Sequence, residues 1–333
     1  MMGMAQSDGG VTVTGATAGE ASPFSTDHAP IPGAVERLEP GLRAITAPNA
    51  GPMTFTGTRS YLVGVGAVAL IDPGPEDRAH FDALFAALDT GERISHIFVT
   101  HSHVDHAPLA RAVAVATGAK IYAFGPHGTG MRPAMAALVA AAAGDLGGGE
   151  GADRAFDPDV SLADGDVVAG AGWQITALHT PGHLSNHLCF ALAGDGIAPG
   201  GVLSGDHVMG WATTLVSPPD GDLSAFMASL RRMATRKDRV YFPGHGAPVG
   251  APGKLIAHIL AHRAGREAQI VEALGDGAAS APTLAARIYR EVDPRLLPAA
   301  TRNVLAHLLD LTERGVAGPL GNLSVDAPFR LVG

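Results

Sequence analysis

The chain has 333 residues, of which 46% are hydrophobic and 17% charged, so it is globular and long enough to bury a sizeable core as one domain or two. Its formal net charge of −9 offers no general attraction to RNA or DNA, although a local basic patch can outweigh the sum. A single cysteine, Cys189, excludes an internal disulfide and fits a reducing, cytoplasmic setting.

Residues 1–30 are rich in Gly, Ala, Thr and Ser, with no basic start and no apolar run, and read as a disordered tail without a signal peptide. Val35–Ala47 and Ser60–Ile71 read as strands. Gly64-Val65-Gly66 inside the second is a turn or bulge and lacks the following helix of a dinucleotide site. Asp72-Pro-Gly-Pro75 stops this strand, and the spacing of Phe81, Leu84, Phe85 and Leu88 predicts a helix over Arg78–Leu88. A β-branched run, Ile94–Thr100, precedes a helix at Pro108–Thr117 and a strand at Lys120–Phe124. The Ala-rich Met135–Ala143 reads as a helix, and no apolar stretch approaches the roughly 20 residues of a membrane span. Short strands are then predicted at Trp173–Leu178, Asn186–Ala191 and Gly201–Leu203, a helix at Leu223–Thr235 and a strand at Arg239–Phe242. Two runs of strands with intervening helices suggest an α/β sandwich. From about Pro252 the chain reads as a separate, mainly helical domain, with helices at Leu255–Leu274, Pro282–Val292 and Pro298–Arg314.

The chemistry concentrates in Thr100-His101-Ser102-His103-Val104-Asp105-His106, directly after the Ile94–Thr100 strand. The i, i+2 spacing of His101 and His103 lets both imidazoles point the same way from extended backbone, while Asp105 and His106 fall in the turn that follows. Imidazole nitrogen with carboxylate oxygen is a ligand set for zinc, and also for iron or manganese. His183, Asp206 and His245 each follow a glycine at the end of a predicted strand, where a tight turn brings the side chain inward. Cys189 lies in an apolar run and reads as a buried thiol rather than a nucleophile. His179, His187 and His207 read as structural or supporting residues, and Trp211 as either pocket wall or core.

The motif His-x-His-x-Asp-His, followed by Gly-His, Gly-Asp and Gly-His, resembles that of the metallo-β-lactamase superfamily, over about residues 31–250. That resemblance implies an αββα sandwich with two metal ions, most simply zinc, at one sheet edge. His101, His103 and His183 would hold the first ion, Asp105, His106 and His245 the second, and Asp206 would bridge them. Asp72 also matches a superfamily motif, as a structural support. His262–Ile270 and Ala299–Leu308 resemble the winged-helix appendage of the lactamase-β-like group, over residues 251–333. That group includes a mitochondrial endoribonuclease and is similar to fungal acyl-carrier-protein thioesterases. Its last helix offers only Arg302, His307 and Arg314 as groove contacts, which favours a packing role; Lys254, Arg263 and Arg266 could instead receive an anionic substrate.

Two close divalent ions can turn a bridging water into hydroxide near neutral pH, with Asp105 orienting the nucleophile and taking its proton. No Gly-x-Ser-x-Gly elbow is present to supply a protein nucleophile. The expected reaction is hydrolysis of a thioester or ester of a small acyl compound. Cleavage of single-stranded RNA is the alternative, disfavoured by acidity and by an aromatic content of 5%. β-Lactam hydrolases resemble the scaffold but lack the six-residue motif ending in His106, and Gly-Ala-Pro-Val after His245 does not resemble the glutathione-binding segment of glyoxalase II; a winged-helix DNA-binding regulator is the third reading.

Overall fold

A computed structural model describes residues 23–149, 151–290 and 293–333. Most of the expected N-terminal tail, residues 1–22, lies outside the described residues. Val35–Ala47 is a hairpin rather than one strand, with β1 (Val35–Glu39) and β2 (Leu42–Thr46) turning at Pro40-Gly41. Ser60–Ile71 likewise divides into β3 (Arg59–Val63) and β4 (Ala67–Ile71). Its turn rests on Gly64 and Gly66, with φ of 94° and 76°; a Cβ on Gly64 would also meet Trp173 Cδ1 at 2.3 Å. The turn or bulge read at Gly64-Val65-Gly66 is thus a full hairpin turn between two almost entirely buried arms.

After α1 (Arg78–Ala86), whose first turn is capped by the Asp77 carboxylate accepting from His80 N at 2.7 Å, come β5 (Arg93–Phe98) and α2 (Leu109–Thr117). β6 (Lys120–Ala123), α3 (Pro133–Ala141) and β7 (Val160–Ser161) follow, completing a sheet whose seven strands lie in sequence order. The second sheet is built from β8 (Val167–Gly170), β9 (Trp173–His179), β10 (Leu188–Gly194), β11 (Ile197–Gly205) and β12 (Val240–Pro243). Helix α4 (Leu223–Ala234) makes the crossover that lets β12 run parallel to β11.

The inner faces meet through Tyr61, Ile71 and Phe98 on one side and Ile175, Phe190 and Phe242 on the other. Leu84 and Val113, from α1 and α2, cover the outer face of the first sheet. Phe226 and Leu230 of α4, with Ile256 and Ile259, cover the second. The result is an αββα sandwich.

Helix α5 (Pro252–Gly275) leaves this outer layer and carries Ile270 and Leu274 into a separate core with α6 (Ala281–Ile288) and α7 (Leu297–Glu313). A small hairpin, β13 (Ala317–Pro319) with β14 (Phe329–Leu331), completes that unit. Three-residue strands beside Gly and Pro carry too little alternation to be read in sequence. Met135 and Leu146, from α3 and the loop after it, pack into the same core, and Arg132 bridges Asp222 and Glu313 at 2.7 Å each. Among the described residues no helix is long and apolar enough to cross a membrane.

Candidate metal centre

The seven candidate ligands reach one edge of the sandwich because every segment carrying them leaves a strand there. His101 to His106 follow β5, His183 follows β9, Asp206 follows β11 and His245 follows β12. Asp72 follows β4, parallel to β5. Strands β9 and β11 are both antiparallel to β10, and β12 is parallel to β11, so their C-terminal ends share one side.

Two groups of ligand atoms form, each within 4.8 Å: His101, His103, His183 and Asp206, and Asp105, His106 and His245. His103 Nδ1 lies 3.0 Å from His101 Nε2 and 2.9 Å from His183 Nε2. Asp206 Oδ2 is 3.6 Å from His183 Nε2 and 3.4 Å from His245 Nε2, so this carboxylate spans both groups. Asp105 Oδ2 lies 3.3 Å from His106 Nε2 and 3.2 Å from His245 Nε2.

The outward-facing nitrogens explain why these faces converge. His106 Nδ1 donates to Asp72 Oδ2 at 2.9 Å, and His183 Nδ1 to the Leu215 carbonyl at 2.8 Å. His245 Nδ1 donates to the Gly57 carbonyl at 3.3 Å. Thr100 Oγ1 donates to Asp72 Oδ2 at 2.8 Å and accepts from His101 Nδ1 at 2.9 Å. Each of these four rings thus spends one N–H on a support and turns its other nitrogen towards its neighbours. His101 Nε2 and His183 Nε2 both face His103 Nδ1, and a cation at their centre would satisfy all three. Asp206 Oδ1 is buried with no hydrogen-bond partner, and a Cβ on Gly244 would lie 2.4 Å from it. The centre is therefore a cradle whose donor set fits divalent metal ions.

Burial holds His183 below the ordinary histidine range, pushes His103 to about 3 and, with the rings of His106 and His103, holds His101 far down. Burial acts the same way on His106 and His245, but the carboxylates of Asp105 and Asp206 outweigh it; His106 is held well above the usual range and His245 at about 9. The reciprocal effect overcomes burial at Asp105 and Asp206 and keeps both ionised. Three neutral rings and two carboxylates are a ready cation-binding set.

The glycines before the ligands act in different ways. Gly182 has φ 144° and Gly205 φ 48°, as a tight turn requires. Gly244 is not in that region: it is small because Asp206 Oδ1 and His106 Cε1 occupy the space of a side chain.

Two supports, Thr58 and Thr214, gave no sequence signal. Thr58 Oγ1 donates to Asp105 Oδ2 at 2.9 Å and is fixed by Asn49, 47 and nine positions away respectively. Thr214 Oγ1 donates to the carbonyl of Asp206 at 2.7 Å. His187 Nε2 accepts from Asp206 N at 3.1 Å, so this histidine positions the Asp206 turn. His207 is buried edge-on against Phe226, and His179 stacks on Phe124 at 3.8 Å. Trp211 stacks on Phe55 at 5.0 Å and packs over Gly246, beside His245. Cys189 is buried, and burial pushes its thiol up to about 12, which suits packing and not nucleophilic attack.

Of the three groove candidates of the C-terminal unit, two are engaged by other residues and one is buried. Arg302 donates to Ser217 Oγ and to the carbonyls of Leu146 and Gly147. His307 is buried, and Arg314 pairs with Glu267 and Asp310.

An αββα sandwich with a His/Asp cradle at the strand ends defines a metallohydrolase scaffold. The chain belongs to the Metallo-beta-lactamase superfamily, which it matches over residues 53–245, and residues 280–319 match the Beta-lactamase associated winged helix domain. It is 31% identical over 256 residues to an atrochrysone carboxyl ACP thioesterase of Paecilomyces divaricatus, covering 75% of this chain and 70% of that protein. A Beta-lactamase-like protein 2 homolog of Drosophila melanogaster is 28% identical over 292 residues, covering 85% of this chain and 91% of that one. The fold is shared with a Beta-lactamase domain protein from Burkholderia ambifaria, at a TM-score of 0.74 and 22% identity, over 92% of this chain and 96% of that one.

Proposed function

We propose that this protein is a metal-dependent hydrolase of acyl thioesters. The observation that carries the metal assignment is the buried Asp206 Oδ1, without a hydrogen bond among the described residues and 3.5 Å from His106 Nε2, between two groups of inward-facing ring nitrogens. In this reading His101, His103 and His183 would hold one ion, Asp105, His106 and His245 would hold another, and Asp206 would serve both. Zinc at both positions, with iron or manganese as the other choices, would supply Lewis acidity and activate a water.

The chain's own residues supply the rest. The Asp105 side chain is 20% exposed, so one face reaches solvent while Thr58 fixes Oδ2. A carboxylate so held can orient the attacking water and receive its proton. The thioester preference is supported by the 31% identity to a protein that acts as an acyl-carrier-protein thioesterase. The hydrogen bonds of Arg302, the ion pairs of Arg314 and the burial of His307 weigh against RNA and DNA binding by α7.

The test is elemental analysis together with turnover of a generic acyl thioester and of a single-stranded RNA. About two ions per chain and thioester turnover that a chelator abolishes are the expected results. Cleavage of RNA in place of the thioester would overturn the substrate, and failure to bind metal after reconstitution would overturn the mechanism.

A further inference from the structure

Beyond the metal centre, a second site lies where α4, α5 and α7 meet. A cavity of about 250 Å³ opens there, with Arg231, Arg263, Arg314 and His307 among its lining residues. Arg263 is 2% exposed, yet it forms no ion pair among the described residues. Its guanidinium donates to Asn303 Oδ1 at 3.0 Å and to the Thr214 carbonyl, and Nε has no partner. A buried cation satisfied only by neutral acceptors is costly unless a counter-ion is near. His307, 1% exposed, has neither ring nitrogen hydrogen-bonded. Glu267 and Asp310 also line the cavity and pair with Arg314, at 2.8 and 2.9 Å, and among the described residues Arg231 and Arg263 form no ion pair.

We infer that this cavity binds a small oxyanion, the phosphate or carboxylate group of a small metabolite. The anion enters past Arg231, which lies on the exposed face of α4, and provides the counter-charge that Arg263 lacks. His307 offers either ring nitrogen to the ligand's polar end once the wall adjusts. The site stands apart from the metals but is joined to their supports. Arg263 holds Thr214, whose hydroxyl holds the Asp206 carbonyl, and the next residue, Leu215, accepts from His183. The ligand is thus placed behind the segment that fixes two metal ligands. Neither Lys254, exposed in the first turn of α5, nor Arg266, stacked over Tyr289 at 3.9 Å, lines this cavity.

The experiment is calorimetric titration of the metal-loaded protein with inorganic phosphate and, separately, with acetate, in the wild type, Arg231→Ala and His307→Leu. Saturable binding of either ion is expected, weakened about tenfold in Arg231→Ala by loss of one charge-assisted contact. The thermal midpoint should rise with the binding ion in the wild type and less in the variant. Phosphate alone would identify a phosphoryl ligand, and acetate alone a carboxylate. Arg231→Ala is on an exposed face and should fold as the wild type does, so it decides the matter even if His307→Leu does not fold. Equal affinity in wild type and Arg231→Ala would place the ion at the metals and overturn the proposal, as would the absence of saturable binding.

Discussion

Asp72 and His106 are 34 positions apart in sequence, yet Asp72 Oδ2 accepts from His106 Nδ1 at 2.9 Å, and the same carboxylate accepts from Thr100 N at 2.7 Å through Oδ1. One side chain, itself held at φ 48°, therefore sets the ring of one candidate ligand and, through Thr100, that of His101 in the other group. Asp72→Asn keeps the shape but offers only one acceptor oxygen. We expect the fold to persist and metal affinity to fall about 10- to 100-fold. Metal retained after dialysis against a competing chelator measures this, and wild-type retention would contradict it.

Gly244 tests the cradle by filling it. In Gly244→Ala the new methyl meets Asp206 Oδ1 at 2.4 Å and His106 Cε1 at 2.7 Å. Overpacking of about 1–3 kcal/mol should appear mainly at the centre, lowering metal affinity about 5- to 150-fold. Circular dichroism should stay native while elemental analysis reports less metal. Full occupancy would mean that the ligands do not close on this space.

Asp206 spans the two groups, so Asp206→Ala should reduce bound metal below two ions per chain and abolish hydrolysis. Removing the metal from the wild type with a chelator should lower the thermal midpoint by several degrees, because ions that bind only the folded state stabilise it. Restored zinc should return both activity and midpoint. A midpoint indifferent to metal would argue that the cradle binds nothing tightly.

His80 gives a pH dependence away from the ligands. Burial pushes its pKa from 6.5 to about 4. As pH falls below 6.5 the unfolded chain takes up the proton first, so stability is complete above that pH and is lost progressively towards pH 4. The slope from this group reaches about 1.4 kcal/mol per pH unit. His80→Gln can still donate to Ser60 Oγ, which wild-type Nε2 meets at 2.8 Å, but cannot titrate. Urea unfolding of both proteins at a series of pH values should show a shallower acid loss in the variant; parallel curves would sink the assignment.

The local sequence by itself determined the strand-end clusters, since a dense His/Asp motif at the end of a β-branched run needs no distant information. The sandwich was legible for the same reason: two runs of strands with interleaved helices admit few layered arrangements. The turn at Gly64-Val65-Gly66 was legible from its glycines, whereas the hairpin at Pro40-Gly41 was not separated from its flanking strands. Tertiary structure alone decided the contacts between distant segments. Thr58 reaches Asp105, Thr214 reaches Asp206, and Gly244 is small because two side chains from other segments fill its space. The same holds for Arg263, which the sequence offers with Lys254 and Arg266 as a receiver for an anionic substrate and which is buried where three helices meet. Spacing along a chain encodes which residues share a face, whereas the partner met across the core depends on how whole layers pack.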